Sequence, residues 1–168
     1  LEAMEEKQIT ADGETRKLQL PFMVLATQNP VETFGTFPLP EAQLDRFFMR
    51  INLGYPNREE EKTIIRRNIG NPLDSIEAAV APSELQYVLA HVAEVAIQEE
   101  EMDYLVDIVK ATRGHEGIEL GVSPRGSVAL FKGAQAYAAI NGRDYIIPED
   151  IKALAPHILN HRIIPRGG

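Results

Sequence analysis

The sequence contains no cysteine, which removes any disulfide framework and any thiolate metal site and is compatible with a reducing compartment. No apolar run reaches the length needed to cross a bilayer, and the opening LEAMEEKQ carries neither the basic start nor the apolar stretch of a secretory signal. A cytoplasmic protein is the expectation. Basic residues are few, 17 Lys and Arg against 25 Asp and Glu, for a formal charge of −8. Neutralising a nucleic-acid backbone requires a basic stripe, so repulsion from nucleic acid is the default here. Two chemical motifs are also missing. No GxxxxGK[ST] run is present to cradle a triphosphate, and no apolar strand ends in the Asp-Glu pair that would hold magnesium. Nor does any nucleophile sit beside a base.

What is present suffices for one compact core, or a domain with a small appendage, in 168 residues of ordinary composition, 44% hydrophobic and 25% charged. Phe22–Ala26 form a continuous apolar run, which reads as a strand buried on both faces of an α/β sheet. It stops at Thr27, Gln28, Asn29 and Pro30. Ligands of open α/β sheets sit beyond the carboxyl ends of strands, which places the Asn29 amide where a ligand or an attacking water would be. A loop with Gly35 and Pro38 follows, then a short helix from about Pro40, with Arg46 near its end. Phe47–Leu53 reads as a further strand, and Gly54-Tyr55-Pro56 as a linker. Upstream, Leu1–Lys7 is rich in helix formers, and the opening reads as a helix caught in mid-course, the expectation for a fragment of a longer protein. Asp12-Gly13 between short extended runs signals a two-residue hairpin turn.

Beyond the linker the pattern is helical. Asn57 with Glu60 resembles a capping box, Ile64 and Ile65 give an apolar stripe, and Gly70 and Pro72 end that segment. Ser83 with Gln86 repeats the start signal ahead of Leu85, Val88, Leu89 and Val92. A third helix spans about Glu99–Arg113 with Met102, Leu105, Val106 and Val109 on one face, stopped by Gly114. A fourth runs from Ser123-Pro124-Arg125 to Asn141-Gly142. A fifth starts near Pro148 and is broken or kinked at Pro156. The stripes are expected to be core. The expected fold class is the tail of an α/β domain, a hairpin with buried strands over residues 1–55, joined to an all-α helical bundle over residues 56–168.

Arg125 breaks a local rule. With Ser123 as N-cap and Pro124 as first helical residue, it places a cation in an opening turn where the helix dipole disfavours one. A phosphate against that turn would resolve the conflict, with Gly126 keeping the approach open. Arg125 as a solvent-exposed arginine, and Arg46 as a cation complementing the last turn of its helix, are the plain alternatives. His157 and His161 are four apart, but no glutamate flanks the first and no third ligand is evident. Glu99, Glu100, Glu101 and Asp103 decorate the first turn of a helix.

The stretch ATQNPVETFGTFPLPEAQLDRFFMRINLGYP, followed at its proper distance by SPRGS, closely resembles the MoxR family of AAA+ ATPases, and the likeness extends to about Arg162. The resemblance implies an ATPase fed by ATP and Mg²⁺, with Asn29 as sensor 1, Arg46 as an arginine finger acting on a neighbour, and Arg125 as sensor 2 on the lid. It also implies self-association into a ring, generally a hexamer, and chaperone-like remodelling of protein clients, among them proteins with von Willebrand factor A domains. The hairpin would face the central pore, or stand as an ordinary exposed hairpin. The segment alone, lacking both nucleotide-gripping motifs, is expected to be inactive. Alternatives are a magnesium-chelatase-like or helicase-like subunit, or a non-enzymatic lid that serves as a docking module.

Overall fold

The computed structural model describes residues 2–28, 39–67 and 76–167. Asn29, Pro30, Gly35, Pro38, Gly70 and Pro72 lie outside the described residues. The first helix, α1, is Glu2–Glu5, and the expected hairpin follows as β1, Gln8–Ala11, and β2, Glu14–Lys17, paired antiparallel with Ala11 opposite Glu14. Its turn residues Asp12 and Gly13 both have positive φ, 53° and 80°, the two-residue geometry that matches strand twist. The Glu2 carboxylate accepts from Thr10 Oγ1 at 2.7 Å and Thr10 N–H at 3.2 Å, which ties α1 to the hairpin.

The two apolar runs expected as buried strands are not strands here. Phe22–Ala26 lies without a ladder partner, and Leu25 is 88% exposed. A strand buried on both faces needs neighbours on each side, and among the described residues the sheets are only the hairpin and a second two-stranded pair. Phe47–Leu53 divides instead. Met49 packs against the helical core and Arg50 N–H donates to His157 O at 2.8 Å, while Ile51 and Leu53 stay exposed.

The short helix α2, Glu41–Leu44, starts after Pro40, which sits at the N-cap position rather than inside it. Helix α3, Arg58–Arg67, has the capping box expected of it: Asn57 Oδ1 accepts from Glu59 and Glu60 N–H at 3.0 Å, and Glu60 returns a bond to Asn57 N–H at 2.8 Å. Helix α4, Pro82–Val92, begins a residue earlier than the Ser83 signal, with Glu84 accepting from Ala81 N–H at 2.7 Å. Neither helix buries a residue, and Ile64, Ile65, Val88 and Leu89 are exposed. The α4 stripe is thus only partly covered: Leu85 and Val92 are half-buried where α4 meets the helix Pro124–Ile140, and Val88 and Leu89 face outward.

The core belongs to α5, Glu99–Gly114, α6, Pro124–Ile140, and α7, Pro148–Leu159. Leu105 and Val109 of α5, Leu130 and Ala134 of α6, and Ile151 and Ile158 of α7 are buried together, each large side chain contributing roughly 1.5–3 kcal/mol. Small residues let α6 and α7 approach. A Cβ at Gly133 would stand 2.5 Å from Ile158 Cδ1. Pro156 lies inside α7 without ending it. A 3-10 turn, Asn160–Arg162, follows, and β4, Ile164–Pro165, pairs antiparallel with β3, Ile118–Leu120. The bundle is thus not purely helical, because a non-local strand pair closes it. Asp150 is buried at the start of α7, where it accepts from Ile147 N–H at 3.0 Å and from both terminal nitrogens of Arg143, at 2.7 and 2.5 Å.

Candidate functional site

Asp45, at the end of α2, is the centre of a charge cluster drawn from both ends of the chain. Its Oδ1 accepts from Arg162 Nε at 2.9 Å, and its Oδ2 accepts from Ser123 Oγ at 3.0 Å and lies 3.5 Å from Arg125 Nη1. Arg125 reaches further, to Glu5 Oε1 at 2.5 Å, and Arg46 Nη2 lies 3.2 Å from Glu5 Oε2. Two carboxylates therefore face three guanidinium groups. In an acidic chain this is a local excess of positive charge.

The N-terminus of α6 explains part of the arrangement. Its first turn contains no acidic residue, and Ser123 has the extended backbone of an N-cap but makes no side-chain cap bond. The hydroxyl turns to Asp45 instead. Asp45 and Glu5 thereby supply from other elements the negative charge that the helix dipole and Arg125 both favour. Gly126 is buried, and a Cβ there would come within 2.3 Å of Val122 Cγ1 and 2.9 Å of Arg162 Cδ. Its role is close packing against Arg162, not an open approach to solvent.

Arg162 is the residue that sequence reasoning missed. Its side chain is only 2% exposed, and its guanidinium donates to Asp45 Oδ1, to the carbonyls of Asp45 at 3.0 Å, Phe47 at 2.7 Å and Phe48 at 3.3 Å, and to Ile158 O. Burial lowers its pKa and the Asp45 carboxylate opposes that fall. Beside it, His161 Nε2 lies 3.0 Å from Phe47 O, and its Nδ1 is buried without a partner. Burial pushes the His161 pKa down, the Phe47 carbonyl works against this, and the Arg162 charge adds to it. No local pattern marks Arg162, because its partner Asp45 lies 117 residues away.

Arg125 and Arg46 are thus brought together through the shared Glu5 carboxylate. Arg125 is half-exposed and Arg46 mostly covered, with Nε buried and unpartnered. Asn29 lies outside the described residues. His157 and His161 are not joined by further ligands: among the described residues no group of three or more His, Asp or Glu side chains is placed to hold a metal ion.

Known proteins match at both ends of this architecture. Residues 1–49 match the family described as "ATPase family associated with various cellular activities (AAA)", and residues 110–167 match the AAA lid domain. A protein from Cytophaga hutchinsonii, solved at 2.00 Å, superposes with a TM-score of 0.89 at 41% identity, covering 99% of this chain and 53% of that one. The class is a segment of an AAA+ ATPase, matching the AAA family at one end and the AAA lid domain at the other. Chaperone MoxR1 of Mycobacterium tuberculosis is 38% identical over 173 residues, 98% of this chain and 46% of its own length, and protein MoxR of Methylorubrum extorquens is 31% identical over 187 residues. Protein YeaC of Bacillus subtilis is 48% identical over 165 residues, 98% of this chain and 52% of its own length. The chain belongs to the MoxR family, and it spans about half the length of the relatives it matches.

Proposed function

We propose that the full-length protein is an ATP-hydrolysing, chaperone-like machine in which this segment supplies charge to the triphosphate of the substrate ATP. The observation that carries the reading is Arg125 in the first turn of α6, half-exposed and held by the carboxylates of Glu5 and Asp45. Phosphoryl transfer asks mainly for position and for positive charge at the γ-phosphate. A helix N-terminus with an arginine in its first turn is an anion seat, and the Arg125–Glu5 contact, with side chains 49% and 37% exposed, is worth at most about 1 kcal/mol. A phosphate bearing more charge can take Glu5's place.

In this reading residues 1–55 are core and 56–168 lid. Arg125 clamps the nucleotide of its own subunit as sensor 2, Arg46 acts on a neighbour's nucleotide as a finger, and Asn29 orients the attacking water as sensor 1. A finger given in trans requires self-association, for which a hexameric ring is proposed, in the cytoplasm, acting on protein clients that include von Willebrand factor A domain proteins. Magnesium would be held by acids outside this chain, since the carboxylates at this site, Glu5 and Asp45, are engaged with arginines. The name of the relative MoxR1 as a chaperone supports the client reading.

The test is steady-state ATP hydrolysis by the full-length protein. Arg46→Ala should lower kcat by about 10³-fold, and Arg125→Ala should raise the KM for ATP by at least about tenfold, the loss of a charge-assisted bond. Equal turnover by wild type and both variants would refute the assignment. The 168-residue chain mixed with ATP and Mg²⁺ should show no turnover.

A further inference from the structure

We propose that Arg162 and Asp45 are positioning residues that lock the Arg46 segment onto the lid of its own subunit, so that the finger moves with the lid. The inference rests on the trans-acting role proposed for Arg46. Arg162 gathers the backbone on both sides of that residue: it takes the carbonyls of Asp45, Phe47 and Phe48 together with Ile158 O at the end of α7. His161 meets Phe47 O from the same turn, Arg50 N–H donates to His157 O at 2.8 Å, and Met49 packs against the lid core. The chain from Asp45 to Arg50 is therefore fastened to α7 and the 3-10 turn along its length.

The other side of Asp45 faces the opening of α6. Its Oδ2 takes the Ser123 hydroxyl at 3.0 Å and stands near Arg125, while Oδ1 takes Arg162. One carboxylate thus links the backbone of the finger to the turn that carries Arg125. The two kinds of arginine contact differ in permanence. The Arg125–Glu5 pair is half in water and exchangeable, whereas the Arg162 side chain is buried with every acceptor it meets supplied by protein. Nucleotide can take Arg125 away from Glu5 without loosening Arg162. A lid drawn toward its own nucleotide through Arg125 then carries Arg46, and the neighbour's active site senses it. A displacement of about 1 Å at a catalytic group costs on the order of 100-fold in rate, so a loosened clamp reads out as kcat.

The experiment is ATP hydrolysis by the assembled full-length protein carrying Arg162→Lys, Asp45→Asn, Arg46→Ala, or either clamp change combined with Arg46→Ala. Lysine keeps the charge of Arg162 but offers one ammonium where the guanidinium spans several carbonyls. Asparagine keeps the shape of Asp45, on a side chain that is partly exposed, and so guards against a variant that fails to fold. Each clamp change should lower kcat by about 10- to 100-fold and leave the KM for ATP within about twofold. In the Arg46→Ala background neither should lower kcat further, since a group that acts only by placing Arg46 has nothing left to place. Undiminished kcat in the Asp45→Asn protein, or losses that multiply with Arg46→Ala, would overturn the proposal. If Arg46→Ala itself left kcat intact, the finger reading would fail first, a result separate from failure of the clamp.

Discussion

Replacing Gly126 by alanine separates two roles that one glycine could serve. If it only kept an approach to Arg125 clear, alanine would stabilise the chain by about 1 kcal/mol through helix propensity. The structure predicts the opposite. The new Cβ would stand 2.3 Å from Val122 Cγ1 and 2.9 Å from Arg162 Cδ. Val122 is buried in the core, and Arg162 is held by its acceptors on two segments, so neither moves away freely. Overpacking of this kind costs about 1–3 kcal/mol, more than the propensity gain over most of that range. The expected net loss is up to about 2 kcal/mol, or a fall of up to roughly 4–8 °C in melting temperature for a chain of this size. Thermal unfolding of the 168-residue chain, followed by far-ultraviolet circular dichroism, measures it. Gly114→Ala is the control, since a Cβ there meets nothing within 4 Å and should leave the melting temperature unchanged or slightly raised. A Gly126→Ala chain that melts at or above the wild-type temperature would refute the packing argument.

Asp150→Ala should lower the urea midpoint by more than Glu149→Ala, an exposed acid in the same turn, because it removes both the Ile147 cap, worth about 1 kcal/mol, and the partner of Arg143. Burial alone would raise the Asp150 pKa, but Arg143 and the Ile147 N–H outweigh it and the net shift is downward. This contribution is present above the unfolded carboxyl range and is lost as pH falls through the lower folded value. Its loss should therefore appear as steepened acid unfolding below about pH 4, absent in Asp150→Ala. His161 acts in a higher window. Its folded pKa is depressed chiefly by burial, so stability is full above the unfolded value near pH 6.5 and declines as pH falls toward the folded one. His161→Gln should flatten the decline of stability as pH falls below about 6.5, and an unchanged slope there would count against a buried neutral imidazole.

What local chemistry encodes was legible without coordinates. Asp12-Gly13 specified its turn because the two positive φ angles suit few other residue pairs, and Asn57 with Glu60 specified a helix start through bonds spanning three residues. Arg125 stood out because it contradicts the dipole of its own helix. The apolar runs at Phe22–Ala26 and on α3 and α4 were legible as hydrophobic but not as buried, since burial depends on neighbours that no window of sequence contains. Tertiary structure alone decided where the charges meet. Arg162, Asp45 and Glu5 are ordinary residues in their own segments, and they become a site because folding brings positions more than a hundred residues apart within hydrogen-bonding range. A carboxylate's strength as a partner depends on distance and exposure, and the chain fixes those only once its helices have packed.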